Sequence, residues 1–193
     1  MRIKVSRMKI AVTALAASLA VAGLAGCSSD SADAPAEAGA TVSTMFGDVE
    51  VPANPERVVA LGWSDAETAL ALGTQPVGVA DWMAFGGKGV GPWIADEFTT
   101  DPKILGTMDL SIEDVIALDP DLILWTRSDN TQATYDKLSA IAPTVGPPPG
   151  LSTAYGTTVE QQTELVAKAL GKEAEGKALL SGLDAKFDAA IAA

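Results

Sequence analysis

Histidine is absent from all 193 residues. That removes the side chain most used for proton transfer near neutral pH and the commonest ligand for zinc or manganese. It also leaves only Tyr or Met to ligate a haem. Cysteine occurs once, at Cys27, so no internal disulfide can form. Basic residues are scarce, at 13 against 25 acidic ones, and four of them fall within the first nine positions. The chain beyond that start holds 9 basic and 25 acidic residues, a net charge of −16. Such a surface excludes nucleic acid and anionic lipid head groups as partners, because both need positive charge. No G-x-S-x-G nucleophile elbow is present. With no histidine and no available thiol, an exported α/β hydrolase lacks its usual machinery. No enzymatic activity is expected.

Long apolar runs are also missing. The most extended, Ile10 to Gly23, has 14 residues, short of the ~20 that a spanning helix requires. It follows Arg2, Lys4, Arg7 and Lys9, and a basic start before a short apolar stretch predicts an export signal over 1–26. The run closes in Leu24-Ala25-Gly26-Cys27, which resembles a lipobox. The resemblance implies cleavage before Cys27 and a diacylglycerol on its sulfur. Two or more acyl chains hold a soluble domain at a bilayer, each buried methylene contributing ~0.8 kcal/mol. The expected location is the extracytoplasmic face of the bacterial cell membrane, through a lipid anchor. Ser28 to Ala40 has no large apolar residue and is expected to be a flexible tether over 27–40.

From Thr41 the pattern becomes structural. Thr41 to Val51 alternates weakly and predicts a hairpin turning at Gly47-Asp48. Val58-Val59-Ala60-Leu61, Val77-Gly78-Val79, Leu122-Ile123-Leu124-Trp125 and Pro143-Thr144-Val145 are short buried-strand signals. Helices are predicted between them. One starts at Ser64 with an S-x-x-E capping box to Glu67 and ends at Gly73. Another is capped by Ser111 and stopped by Asp119-Pro120. A third spans Thr131 to Ile141 and a fourth runs from Gln161 to Gly171. Alternating strands and helices imply an α/β fold, a parallel sheet sandwiched by helices. From Lys172, Leu179, Leu180, Leu183, Phe187 and Ile191 recur at helical spacing. That pattern reaches Ala193 without a glycine, proline or basic cap, and we expect a long helix interrupted in mid-course.

Several strings resemble one family. Val58-Val59-Ala60-Leu61-Gly62-Trp63-Ser64-Asp65 with Leu70-Ala71-Leu72-Gly73 is similar to the first strand, loop and helix of siderophore-type substrate-binding proteins of ABC importers. The run from Ile112 to Leu124, the run from Leu138 to Val145, and Pro52 to Val59 resemble further segments in the same order. The resemblance implies two α/β lobes joined by one long helix, with ligand held between them. Residues 41–171 would form the N-terminal lobe and 172–193 the start of the joining helix, with the second lobe absent. It implies a ferric siderophore as ligand, no direct ligation of metal by the protein, no cofactor, an ABC permease as partner and a monomeric state. The same architecture also serves corrinoids, haem and other metal chelates, and these stand as alternatives.

In such a sheet, ligands lie beyond the carboxyl ends of the strands. The positions there are Trp63 and Ser64 after the first strand, Trp82 and Phe85 after the second, Met108 after the third and Arg127 after the fourth. Tyr155 falls in the loop before the last helices. Aromatic faces would cover a chelate's organic shell, and a planar guanidinium would donate to its oxygens. Trp93 and Trp125 are expected in the core. By resemblance Glu113 would dock an arginine of the permease, although a carboxylate in a first helical turn also favours the helix dipole. Gly86-Gly87-Lys88-Gly89-Val90-Gly91 lacks the Ser or Thr of a phosphate loop and is expected to form a flexible rim.

Overall fold

The computed structural model describes residues 38–106 and 109–192. The expected signal over 1–26, Cys27, most of the tether and Met108 lie outside the described residues.

Strand β1 (Ala38–Thr44) pairs antiparallel with β2 (Gly47–Pro52). Pairing thus starts three residues before the expected onset of order at Thr41. The hairpin turns at Met45-Phe46 and not at Gly47-Asp48. Thr44 moves it: its Oγ1 donates to the Gly47 carbonyl at 2.8 Å and accepts from the Phe46 N–H at 3.1 Å. Gly47 takes φ 110°, a conformation that side chains resist, and so becomes the first paired residue of β2.

The main sheet has five parallel strands: β3 (Val58–Ala60), β4 (Gly78–Ala80), β5 (Lys103–Leu105), β6 (Leu122–Leu124) and β7 (Thr144–Val145). Their order is β5-β4-β3-β6-β7. The chain therefore builds outward from β3 in one direction, then returns and builds in the other. The seam between β3 and β6 is the switch point of the sheet. The helices are α1 (Asp65–Ala71), α2 (Ile112–Ala117), α3 (Gln132–Ser139), α4 (Val159–Ala169) and α5 (Glu173–Ile191).

Period-two alternation explains why both faces are covered. Val58, Leu122, Leu124 and Val145 face a cluster holding Ala69, Val166 and Leu170 from α1, α4 and its C-cap, with Val42 and Val51 of the hairpin. Val59, Leu61, Ile123 and Trp125 face the opposite cluster with Val115 of α2 and Leu138 of α3. The sheet is thus the α/β sandwich its strand pattern implies.

The helix ends mostly follow their residues. Ser111 Oγ accepts from the Asp114 N–H at 3.1 Å, and Thr158 forms a reciprocal capping box with Gln161. Gly73 takes φ 72° just beyond α1. The box expected between Ser64 and Glu67 does not form. Ser64 sits in the left-handed region at φ 64°, where its hydroxyl makes no cap, and Glu67 turns to another partner. On α5, Leu183, Phe187 and Ile191 are exposed.

Leu122 is fully buried at the centre of the sheet. Leu122→Ala is expected to destabilise the fold by about 2–5 kcal/mol through lost burial and a residual cavity. A fall in the urea midpoint with unchanged slope would register it.

Candidate functional site

The loops beyond β3 and β6 are tied together before any ligand arrives. Leu61 N–H donates to the Leu124 carbonyl at 2.8 Å, and Trp63 N–H to the Arg127 carbonyl at 2.9 Å. Strand pairing thus continues past the strands. The loop before α4 joins the same frame: Tyr155 N–H donates to the Ser128 carbonyl at 2.6 Å, and Arg127 Nε to the Tyr155 carbonyl at 3.1 Å. Trp63, Arg127 and Tyr155 are therefore fixed relative to each other through their own backbones.

Beneath them lies Asp65, fully buried at the start of α1. Its Oδ2 accepts from the Gly62 N–H at 3.0 Å and the Thr126 N–H at 2.9 Å. Its Oδ1 accepts from Gln162 Nε2 at 2.6 Å and from the Thr126 hydroxyl. Gln162, from α4, also donates to the Trp63 carbonyl at 2.7 Å. Thr157 Oγ1 donates to the Thr126 carbonyl at 2.6 Å. Gly62 is required here, since a Cβ would collide with the Asp65 carboxylate and stand 2.9 Å from the Arg127 nitrogen. Burial pushes the Asp65 carboxyl above its ordinary value, and the four donated hydrogen bonds offset this only in part.

On this frame stands a row of rings. Trp63 stacks on Tyr155 with centroids 4.2 Å apart and on Trp82 at 5.5 Å. Phe85 meets Trp82 edge-on at 5.8 Å, and Trp93 meets Phe85 edge-on at 5.6 Å. Trp82 is aimed by Glu67, whose Oε1 accepts from the indole Nε1 at 3.0 Å. Each such pair contributes about 0.5–1.5 kcal/mol beyond area burial. Asp81 orders the loop that carries Phe85, accepting from the Phe85 and Gly86 N–H groups at 2.7 and 2.8 Å.

A hollow of about 110 Å³ opens at the switch point. Trp63, Arg127, Ser128, Asp129, Trp125 and Tyr155 contribute to its walls. Among the described residues no carboxylate lies within 4.0 Å of the Arg127 guanidinium, so none forms a direct ion pair with it. Tyr155 holds φ 58° and Ser64 φ 64°, both in the left-handed region. Two such residues flanking one hollow represent backbone strain of about 1–3 kcal/mol each, kept in place by the surrounding bonds. The Tyr155 phenol is raised, first by burial and then by the charge of Asp129.

The positions predicted from the sequence divide accordingly. Trp63, Arg127 and Tyr155 come together around the hollow. Trp82 and Phe85 extend the aromatic row from Trp63 without lining the hollow itself. Ser64 is not in the wall: its carbonyl accepts from Thr68 Oγ1 at 2.9 Å and it shapes the turn into α1. Met108 lies outside the described residues. Glu113 is exposed in the first turn of α2, within 3.5 Å of Ser111 Oγ. That helix leaves the loop after β5, which places Glu113 at the strand-carboxyl end of the sheet. Trp125 is 5% exposed, in the core as expected, yet its edge reaches the hollow. Trp93 is a correction. It is 72% exposed, because no strand or helix carries it to the core, and its ring lies against Phe85 and Gly91.

Asp65 and Asp129 were not anticipated. Asp129 had a usable signal, standing two residues beyond Arg127 past a strand end. Asp65 had none beyond its place in the first turn of a helix, since all its partners but Gly62 are 61 or 97 residues away.

An open parallel sheet with a ring-lined hollow at its switch point is the architecture of a substrate-binding α/β lobe. Residues 58–193 match the periplasmic binding protein family, to which the chain belongs. It is 32% identical over 176 residues to a probable siderophore-binding lipoprotein of Bacillus subtilis, an alignment covering 86% of this chain and 50% of that protein. The chain spans about half the length of the curated relatives it matches. A crystal structure of a periplasmic solute binding protein from Mycobacterium smegmatis is 35% identical, with a TM-score of 0.71 over 76% of this chain and 52% of that one. Staphylococcus aureus SirA complexed with staphyloferrin B is 32% identical, with a TM-score of 0.65 over 78% and 48%.

Because the folded Asp65 carboxyl is raised, the folded state holds that proton more firmly than the unfolded chain. The associated stability is complete below the ordinary value near 3.8 and is lost as pH rises through the folded value. Asp65→Asn sets an amide NH₂ against donors and is expected to cost about 1–3 kcal/mol. The deficit against wild type should be largest on the acid side and narrow toward neutral pH. Urea midpoints of both proteins across pH 4 to 8 test this, and a deficit that widens with pH would contradict it.

Proposed function

We propose that the chain is the ligand-capturing component of an ABC importer for a ferric siderophore, held at the extracytoplasmic face of the membrane through Cys27. The observation that carries this reading is the convergence of Arg127, Trp63 and Tyr155 on one hollow at the switch point. The guanidinium keeps its terminal nitrogens for an outside acceptor, and the rings offer flat apolar surface. A metal chelate needs both, because chelating oxygens face outward from an organic shell. The protein would then hold the iron through its chelator without ligating it. The kinship with a probable siderophore-binding lipoprotein and with a structure holding staphyloferrin B supports the same class of ligand. Glu113, exposed at the strand-carboxyl end, is the residue assigned to docking an arginine of the permease.

A ferric siderophore placed against Trp63 should quench tryptophan emission on titration into the purified protein. Arg127→Ala removes one charge-assisted contact, and affinity for the complex should fall roughly 10- to 100-fold. Unchanged affinity would take Arg127 out of the site, and quenching by a corrinoid alone would favour that alternative.

The anchor is separable from the site. Cys27→Ala should move the protein from the membrane fraction to the soluble fraction without altering its ligand titration. Retention in membranes would mean that something other than Cys27 holds it there.

A further inference from the structure

We propose, building on the chelate reading above, that this hollow selects ferric complexes of net charge near zero, of the tris-hydroxamate kind, over polyanionic complexes such as tris-catecholates. The argument is the charge balance of the walls. Arg127 is the one cation among the described lining residues, and Asp129 stands two positions away in the same wall. Asp129 is held in place, because its Oδ1 accepts from the Thr131 N–H and hydroxyl at 3.2 Å each. Its field reaches the aromatic wall, where it adds to burial in raising the Tyr155 phenol.

Two charged residues near the aromatic row bear on the same balance. Glu67 stands behind Trp82. Lys88 on the glycine-rich loop is engaged by the Phe98 carbonyl at 3.1 Å and by Asp101 at 3.4 Å.

Three singly charged hydroxamates neutralise Fe(III), whereas three doubly charged catecholates leave three negative charges. A trianion would surrender part of its strong hydration on packing against the walls of this hollow. A single guanidinium, itself opposed by a carboxylate, returns little of that loss. A neutral complex loses far less. It still presents oxygens to Arg127, N–H or hydroxyl donors to Asp129, and apolar shell to Trp63 and Tyr155.

Tryptophan-quenching titrations of the purified protein decide the matter. The probes are the ferric complex of a cyclic trihydroxamate and that of a cyclic tris-catecholate, in about 0.15 M salt. The neutral complex is expected to bind at least about tenfold more tightly. Asp129→Asn keeps the oxygen that accepts from Thr131 and removes the charge. It should raise affinity for the trianion by about three- to tenfold relative to the neutral complex, so that the preference of the wild type narrows by that factor. Equal or tighter binding of the trianion by wild type overturns the selection while the chelate reading stands. An unchanged ratio in Asp129→Asn overturns the role of Asp129. No response to either complex removes the chelate reading and the selection with it.

Discussion

Asp65 carries its carboxylate into the seam between β3 and β6 and binds four donors there, from Gly62, from both the backbone and hydroxyl of Thr126, and from Gln162. Every part of the hollow depends on that contact. Gly62 precedes Trp63, Thr126 precedes Arg127, and Gln162 belongs to the helix that follows the Tyr155 loop. One buried carboxyl group therefore sets the spacing of three elements that are far apart in sequence. A buried carboxylate without partners would cost several kcal/mol, so the arrangement is close to all-or-none. Either the three elements close around Asp65 or their buried donors lose a common acceptor.

That constraint explains why the site is preorganised on short loops. The loops beyond β3 and β6 would be free to move if only strand pairing held them, since each strand has three residues. Pairing instead continues into the loops through Leu61 and Trp63, and the Asp65 network locks the ends. The left-handed backbone at Ser64 and Tyr155 is the cost of the same closure. Preorganisation of this kind lowers the entropy lost when a ligand binds. It also keeps the Arg127 guanidinium at the hollow with its Nε engaged by the Tyr155 carbonyl and no described carboxylate within 4.0 Å.

Much of the fold was legible because burial leaves periodic traces. The apolar run at Leu122 to Trp125 announces a central strand, and Asp119-Pro120 announces the helix end before it. The site positions were legible to the extent that strand ends were, which is why Trp63, Arg127 and Tyr155 meet. Long-range polar contacts leave no such trace. Asp65 resembles an ordinary first-turn acid, and nothing local shows that Gln162 and Thr126 will reach it. Trp93 misleads for a related reason. Composition places a tryptophan in the core, but the 81–102 segment has one 3-10 turn, Ala95–Glu97, and no periodic face to bury the ring.

The failed capping box at Ser64 shows how local and global preferences compete. Ser-x-x-Glu is a sound start signal when the serine adopts extended backbone, because its hydroxyl then reaches the third N–H of the helix. Here the chain must turn sharply after Gly62 so that Asp65 can enter the seam, and Ser64 takes up that turn in left-handed geometry. A cap is worth about 1 kcal/mol. The Asp65 network is worth more, since one carboxyl satisfies four donors from three elements together. The weaker interaction yields, and Glu67 is released to aim Trp82. The residue that fails as a cap thereby sets the orientation of the aromatic wall.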